Sequence, residues 1–308
     1  RSPLMWDVFA VNTYLVVSML FWFMGMIPDF AVLRDRSTTR IRKTIFSALA
    51  MGWTGSARQW HHYEKAYVVL CGLCTLLVFT VSSIVGLDFC TAQIAGWHAT
   101  IFPLYFVIGA VFCGFGMMLV LLIPLRKWCG LENIITKSHM DKVAKLALVS
   151  GNMIAYIYMM EFFIAWYTGD PYERWVFGHR LFGHTYIIMG WILIIVNVGV
   201  TQLLWFKKIR SNMLLLFIIG LLINCGMWSE RFVIVVGSLY QDFLPANWGK
   251  YMPTMWDIGL YAGTLGAFFM LYLLFVKFLP MIAISEVKGA VPQGDPHHPL
   301  GGAKKGDH

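Results

Sequence analysis

Charge is what this chain has least of. Only 13% of its 308 residues are Asp, Glu, Lys or Arg, while 58% are hydrophobic, a balance that excludes a soluble globular fold. Cysteine is also sparse. The CxxC of Cys71 and Cys74 has no second pair at metal-site spacing, so the six cysteines give neither a zinc motif nor a disulfide framework. Strand-like alternation is missing from the apolar runs, which excludes the closed barrel as a way of crossing a bilayer. Nor is there a visible signal peptide or an initiator Met. The expectation is that an upstream membrane portion precedes Arg1.

What is present is a series of continuous apolar runs. Read for length and hydropathy they predict about seven membrane helices, over Val8–Ile27, Tyr67–Gly86, Ala99–Ile123, Val143–Tyr167, Thr185–Phe206, Met213–Val236 and Ile258–Ile284. The fold class expected is an all-α integral membrane protein with almost nothing left for a soluble domain. Lys and Arg then segregate: nineteen of the 24 fall in alternate loops and the C-terminal tail, which places that side and the C-terminus in the cytoplasm. This asymmetry explains the net charge of +8 without any nucleic-acid partner. The tail from Val287 reads as disordered and cytoplasmic, with His297 and His298 solvated.

Ionisable residues inside apolar helices carry the functional signal, because each costs several kcal/mol to bury without a partner or a role. They cluster at one side. Asp7, Asp88, His98, His184, Asp242 and Asp257 lie near the outer helix ends, and Glu161, Glu230 and Arg231 lie one or two turns further in. Within NCGMWSERFVIVVGS, the neighbours Glu230 and Arg231 point about 100° apart on a helix, so each is expected to need its own partner. Glu161, with Asn152 and Tyr156 inward of it, is the candidate partner for Arg231, and Asn224 shares that face. Two readings stand side by side: a buried ion pair that pins helices, or a route for protons. The matching strings PLMWD and PTMWD, ending at Asp7 and Asp257, read as outer helix caps or as the trace of a duplication.

Longer strings carry a family resemblance. RSPLMWDVFAVNTYLVVS, GMIPDFAVLRDR, WHATIFPLYFVIGAVFCG, YMMEFFIAWYTGDPYE, NCGMWSERFVIV and DFLPANWGKYMPTMWDIG together make the chain resemble the NrfD/polysulfide reductase family, most closely the quinol-oxidising membrane subunit of bacterial alternative complex III. That resemblance implies a fold of two four-helix bundles, with residues 1–90 the remainder of a quinol-site bundle, 91–286 the second bundle and final helix, and 287–308 the tail. It implies menaquinol oxidation near the periplasmic face of a bacterial inner membrane, with proton translocation. No metal or haem is expected in this subunit; Fe-S clusters and c-type haems belong to partner subunits, alongside a second NrfD-like membrane subunit and a terminal oxidase. On this resemblance Asp7 and Asp88 take quinol protons, although capping explains both equally simply, and Trp6 and Phe89 touch the quinone ring. His98, Glu161, Glu230, Arg231 and Asp257 are the proton-path candidates, with Asn197 and Asn224 extending the path or bonding between helices.

Three other functions fit parts of the sequence. An NrfD-like anchor of a molybdopterin reductase would share the fold and differ in partners. A haem b cytochrome would use His98 and His184 as axial ligands, against the usual pairing of histidines deep in facing helices. A secondary transporter would use the intramembrane Glu and Arg, but the chain shows no matched pair of Gly/Pro-broken helices.

Overall fold

The computed structural model describes residues 4–183, 185–240 and 244–290. His184 and Asp242, Pro3 of the first cap string, and the tail histidines His297 and His298 lie outside the described residues. Eleven helices follow in order: α1 (Leu4–Arg36), α2 (Arg40–Leu49), α3 (Ala57–Cys90), α4 (Phe102–Trp128), α5 (Lys137–Thr168), α6 (Pro171–Phe182), α7 (Ile187–Ile194), α8 (Lys207–Arg210), α9 (Met213–Leu239), α10 (Met255–Phe278) and α11 (Ile284–Ala290). Among the described residues there is no strand. Seven segments among the described residues are long and apolar enough to cross a membrane: α1, α3, α4, α5, the run Ile187–Trp205, α9 and α10. The chain is a multi-pass membrane protein.

Three local differences from the expected spans have physical causes. The seventh span, α10, stops at Phe278 rather than Ile284, because Pro280 offers no amide hydrogen and holds Leu279 extended at φ −120°, ψ 151°. The fifth span is not a single α-helix: α7 passes into a π-helical turn over Ile195–Val200 and a 3₁₀ turn over Leu203–Trp205. And the stretch TGDPYE, read as loop, turns a corner into α6. Gly169 takes the left-handed conformation at φ 79°, Asp170 accepts a hydrogen bond from the Tyr172 amide at 3.1 Å, and Pro171 fills the first helical position.

By packing the chain divides into two compact units, Arg1–Val11 with Val78–Met252, and Asn12–Leu77 with Pro253–His308. The expected bundle boundary at residue 90 rests on the family resemblance alone. In the first unit α4 packs on both α5 and α9 around Phe112, Leu119, Ile154, Ile157, Leu216 and Ile223, each no more than 1% exposed. Close approach depends on glycine: a Cβ on Gly116 would stand 2.7 Å from Ile223 Cγ2, and one on Gly220 2.9 Å from the Gly116 carbonyl. Without water to drive helices together, such short backbone distances are a main source of packing energy.

The second unit has its own small core of Met26, Phe30, Ala31 and Ala50. There Asp29, 1% exposed, accepts the Ile284 amide at 3.1 Å, and the Tyr63 hydroxyl donates to Ser285 at 3.1 Å. These two bonds fasten α11 to α1 and α3. By contrast α10 buries no residue within this chain, leaving its apolar surface to lipid or to other subunits.

Candidate functional site

Two groups of polar side chains stand out in the first unit. The smaller is an acid pair. Asp7, in the first turn of α1, and Asp88, in the last turn of α3, bring their carboxyl groups within hydrogen-bonding reach of each other. Oδ1 of each is buried without a partner. A bond between two carboxyl groups takes a proton, because an ionised carboxylate has no donor. The pair is therefore a place where a proton is held between two helix ends, and its free oxygens remain to accept another donor.

The residues that neighbour this pair in sequence differ in setting. Trp6 is 68% exposed. Phe89 is half-buried, its ring 4.7 Å from Trp97 and 5.1 Å from Phe106, so it forms part of an aromatic wall on α4.

The larger group runs through the bundle of α4, α5, α7 and α9. Glu230 is fully buried, and its Oε2 accepts a hydrogen bond from the Tyr158 hydroxyl. Tyr158 in turn accepts from Asn197 Nδ2 at 2.9 Å. Asn197 sits within the π-helical turn, whose extra residue per turn shifts side chains out of α-helical register. Gly226 makes room for it, since a Cβ there would lie 2.2 Å from Asn197 Oδ1. Tyr105, 2% exposed, closes on Glu230 from α4.

Here two expectations are corrected. Glu230 and Arg231 do pair with each other, at 3.3 Å between Oε1 and Nη2. Their Cβ atoms diverge, but the arginine stem is long enough to bend back, and Gly109 leaves space for the guanidinium, which lies 4.0 Å over the Phe106 ring. Glu161 is not the partner of Arg231. The cation whose charge it feels is Arg180, from α6. Asn152 bonds Gln202 instead, at 2.9 Å, and Tyr156 is exposed.

Arg180 reaches inward from outside the membrane spans. Burial pushes its guanidinium below the ordinary arginine value, with Glu161 and Tyr105 acting against that shift. Arg180 falls between the expected spans, and nothing in hydropathy singles out Tyr105 or Tyr158 among the aromatic residues of their spans. The signal for Tyr158 was present in its spacing: it lies three residues before Glu161, on the same face of one helix.

The remaining candidates bond to other groups. His98 is exposed, its Nδ1 3.1 Å from the Cys90 carbonyl. It opposes the rise that burial and Asp170 impose on the Glu173 carboxyl. Asp257 belongs to the other compact unit, where it forms a capping box with Thr254 at the start of α10, the hydroxyl donating to Oδ2 at 2.8 Å. Asn224 accepts from Cys113 Sγ at 3.4 Å, an interhelical bond between α9 and α4. Among the described residues no three His, Cys, Asp or Glu side chains gather as a metal site would require.

Residues 1–241 match the profile of the family described as polysulphide reductase, NrfD. The chain belongs to the NrfD family. No curated protein matches it. NrfD proteins are quinone-interacting membrane subunits of redox enzyme complexes, and they work with iron-sulfur and other redox subunits. The matched range takes in both polar groups of the first unit, the acid pair and the Glu230 network, and ends before the Thr254–Asp257 cap.

Proposed function

We propose that this NrfD protein is the quinol-oxidising membrane subunit of a respiratory complex of the alternative complex III type in a bacterial inner membrane, with its C-terminus in the cytoplasm. The carrying observation is the contact between Asp7 and Asp88. Oxidising a quinol releases two protons and two electrons, so the site needs an acceptor near each departing hydroxyl proton. The acid pair, with one proton already shared and one buried unpartnered oxygen on each carboxyl group, takes the two protons one after the other, releasing the first before it accepts the second. Trp6 offers an exposed ring beside Asp7, and Phe89 a fixed one beside Asp88, as flanks for the planar head group.

Menaquinol is the substrate in this reading. Electrons pass to an iron-sulfur subunit and on to c-type haem subunits, with a second NrfD-like subunit and a terminal oxidase as further partners. This chain supplies proton acceptors and a dry setting rather than a redox centre of its own. The buried group of Glu161, Glu230 and Arg231 serves proton translocation.

The test uses the intact complex. Asp7→Asn and Asp88→Asn keep the shape of each side chain and remove the carboxylate, and each is expected to lower menaquinol turnover by about 100-fold, the typical weight of a positioned proton acceptor. Assembly and the spectra of the partner subunits stay unchanged. Wild-type turnover in both variants would remove the site assignment.

A further inference from the structure

The acid pair leaves one feature of the first unit unused. Between α4, α5, α6, α7 and α9 lies a partly open cavity of about 20 Å³, whose polar walls are Tyr105, Tyr158, Glu161 and Arg180. A second cavity is walled by His179, Thr185, Tyr186 and Tyr240. Arg180 and Val233 line both, so the two cavities adjoin.

Inside the first cavity an acceptor and a donor are both left over. Glu161 is 6% exposed and its Oε1 has no partner; Arg180 Nε is buried and has none either. Arg180 is otherwise fixed, Nη2 donating to Ser238 Oγ at 3.2 Å and its guanidinium lying 4.3 Å over Phe177. Glu161 and Arg180 feel each other's charge, yet among the described residues no ion pair joins them. A buried donor and a buried acceptor of opposite charge, facing one cavity without touching, is the arrangement that holds ordered water.

We propose that water occupies this cavity, accepting from Arg180 Nε and donating to Glu161 Oε1, and that through the adjoining cavity it links Glu161 to the aqueous phase at the α6 end. Arg180 is then a positioning residue. A proton leaving Glu161 passes to the bridging water and outward, and the carboxylate left behind faces a guanidinium that is already in place. Tyr158, on the same face of α5, carries the connection on to Glu230 and Asn197. Nothing in this proposal depends on how quinol is oxidised at the other site.

Radiolytic hydroxyl labelling of the full chain in its membrane complex, read by mass spectrometry, tests it directly. Radicals form where water is, so a side chain out of bulk contact is oxidised only beside bound water. Tyr105 and Tyr158 are expected to label several-fold faster than Phe112, equally buried, after correction for intrinsic reactivity. Arg180→Leu removes the donor and lowers that labelling, while Arg180→Lys retains most of it. In parallel, the infrared band of the Glu161 carboxyl, assigned through Glu161→Gln, should shift promptly on transfer to D₂O. If Tyr105 and Tyr158 prove as inert as Phe112 in the wild type, the cavity is dry and the proposal fails. A Glu161 band that exchanges only on unfolding fails it equally, whether or not either Arg180 variant assembles.

Discussion

The Tyr158 hydroxyl donates to Glu230 across the interface of α5 and α9. Because Asn197 donates to that hydroxyl in turn, the direction of both bonds is fixed: the phenol has one hydrogen, and it goes to the carboxylate. Removing it strands an acceptor on one side and a donor on the other.

Tyr158→Phe should therefore destabilise the chain by about 1 to 3 kcal/mol, the cost of buried groups left unpaired. Glu230→Gln should cost less alone, since an amide oxygen still accepts from Tyr158. Combined, the two changes should fall short of their sum by more than about 0.5 kcal/mol, because Tyr158→Phe removes the bond that the amide only weakens. Unfolding in detergent of the four chains of this cycle checks it, and strict additivity would show that the bond gains nothing from the carboxylate.

Glycine at 226 is a steric requirement of the π-helical turn. Gly226→Ala would set a methyl group 2.2 Å from Asn197 Oδ1 and force the amide off Tyr158. Overpacking of this kind costs about 1 to 3 kcal/mol. Gly199→Ala, within the same turn but with nothing within 4 Å of the new Cβ, should be close to neutral. Comparing the two midpoints of thermal unfolding separates a packing clash from a general intolerance of the turn; equal losses would point to the latter.

Asp257 is tested by what it does not share with Glu161. Thr254→Ala and Asp257→Ala each remove one half of the capping box on α10 and should lower stability by about 1 kcal/mol. Proton release per electron should be unaffected by either. A changed ratio in Asp257→Ala with a normal one in Thr254→Ala would restore Asp257 to a proton path.

The scaffold was legible because apolar runs have no alternative in a bilayer. Even there hydropathy alone carries the seventh span to Ile284, past Pro280, whose missing amide hydrogen ends the helix at Phe278. The depth of Glu161 and Glu230 was legible for the same reason that charge in an apolar helix is conspicuous. Their partners were not. A long arginine can fold back on its neighbour, as Arg231 does, or arrive from a helix that looks like a loop, as Arg180 does, and only packing decides between these. Tyr158 was hidden because a tyrosine counts as apolar until its hydroxyl has somewhere to go. The π-helical turn that delivers Asn197 leaves no mark in hydrophobic periodicity over six residues.

The pairing of Glu230 with Arg231 has an electrical consequence. Opposite charges carried at one depth on adjacent residues sum to zero, so the membrane voltage does almost no net work on α9 while both are ionised. A proton reaching Glu230 ends that balance and leaves the guanidinium as an uncompensated charge within the span. A full transit of such a charge is worth about 2.3 kcal/mol per 100 mV, and a partial depth a proportionate share. Loading this one carboxylate thus turns an electrically silent helix into one that the membrane potential can push.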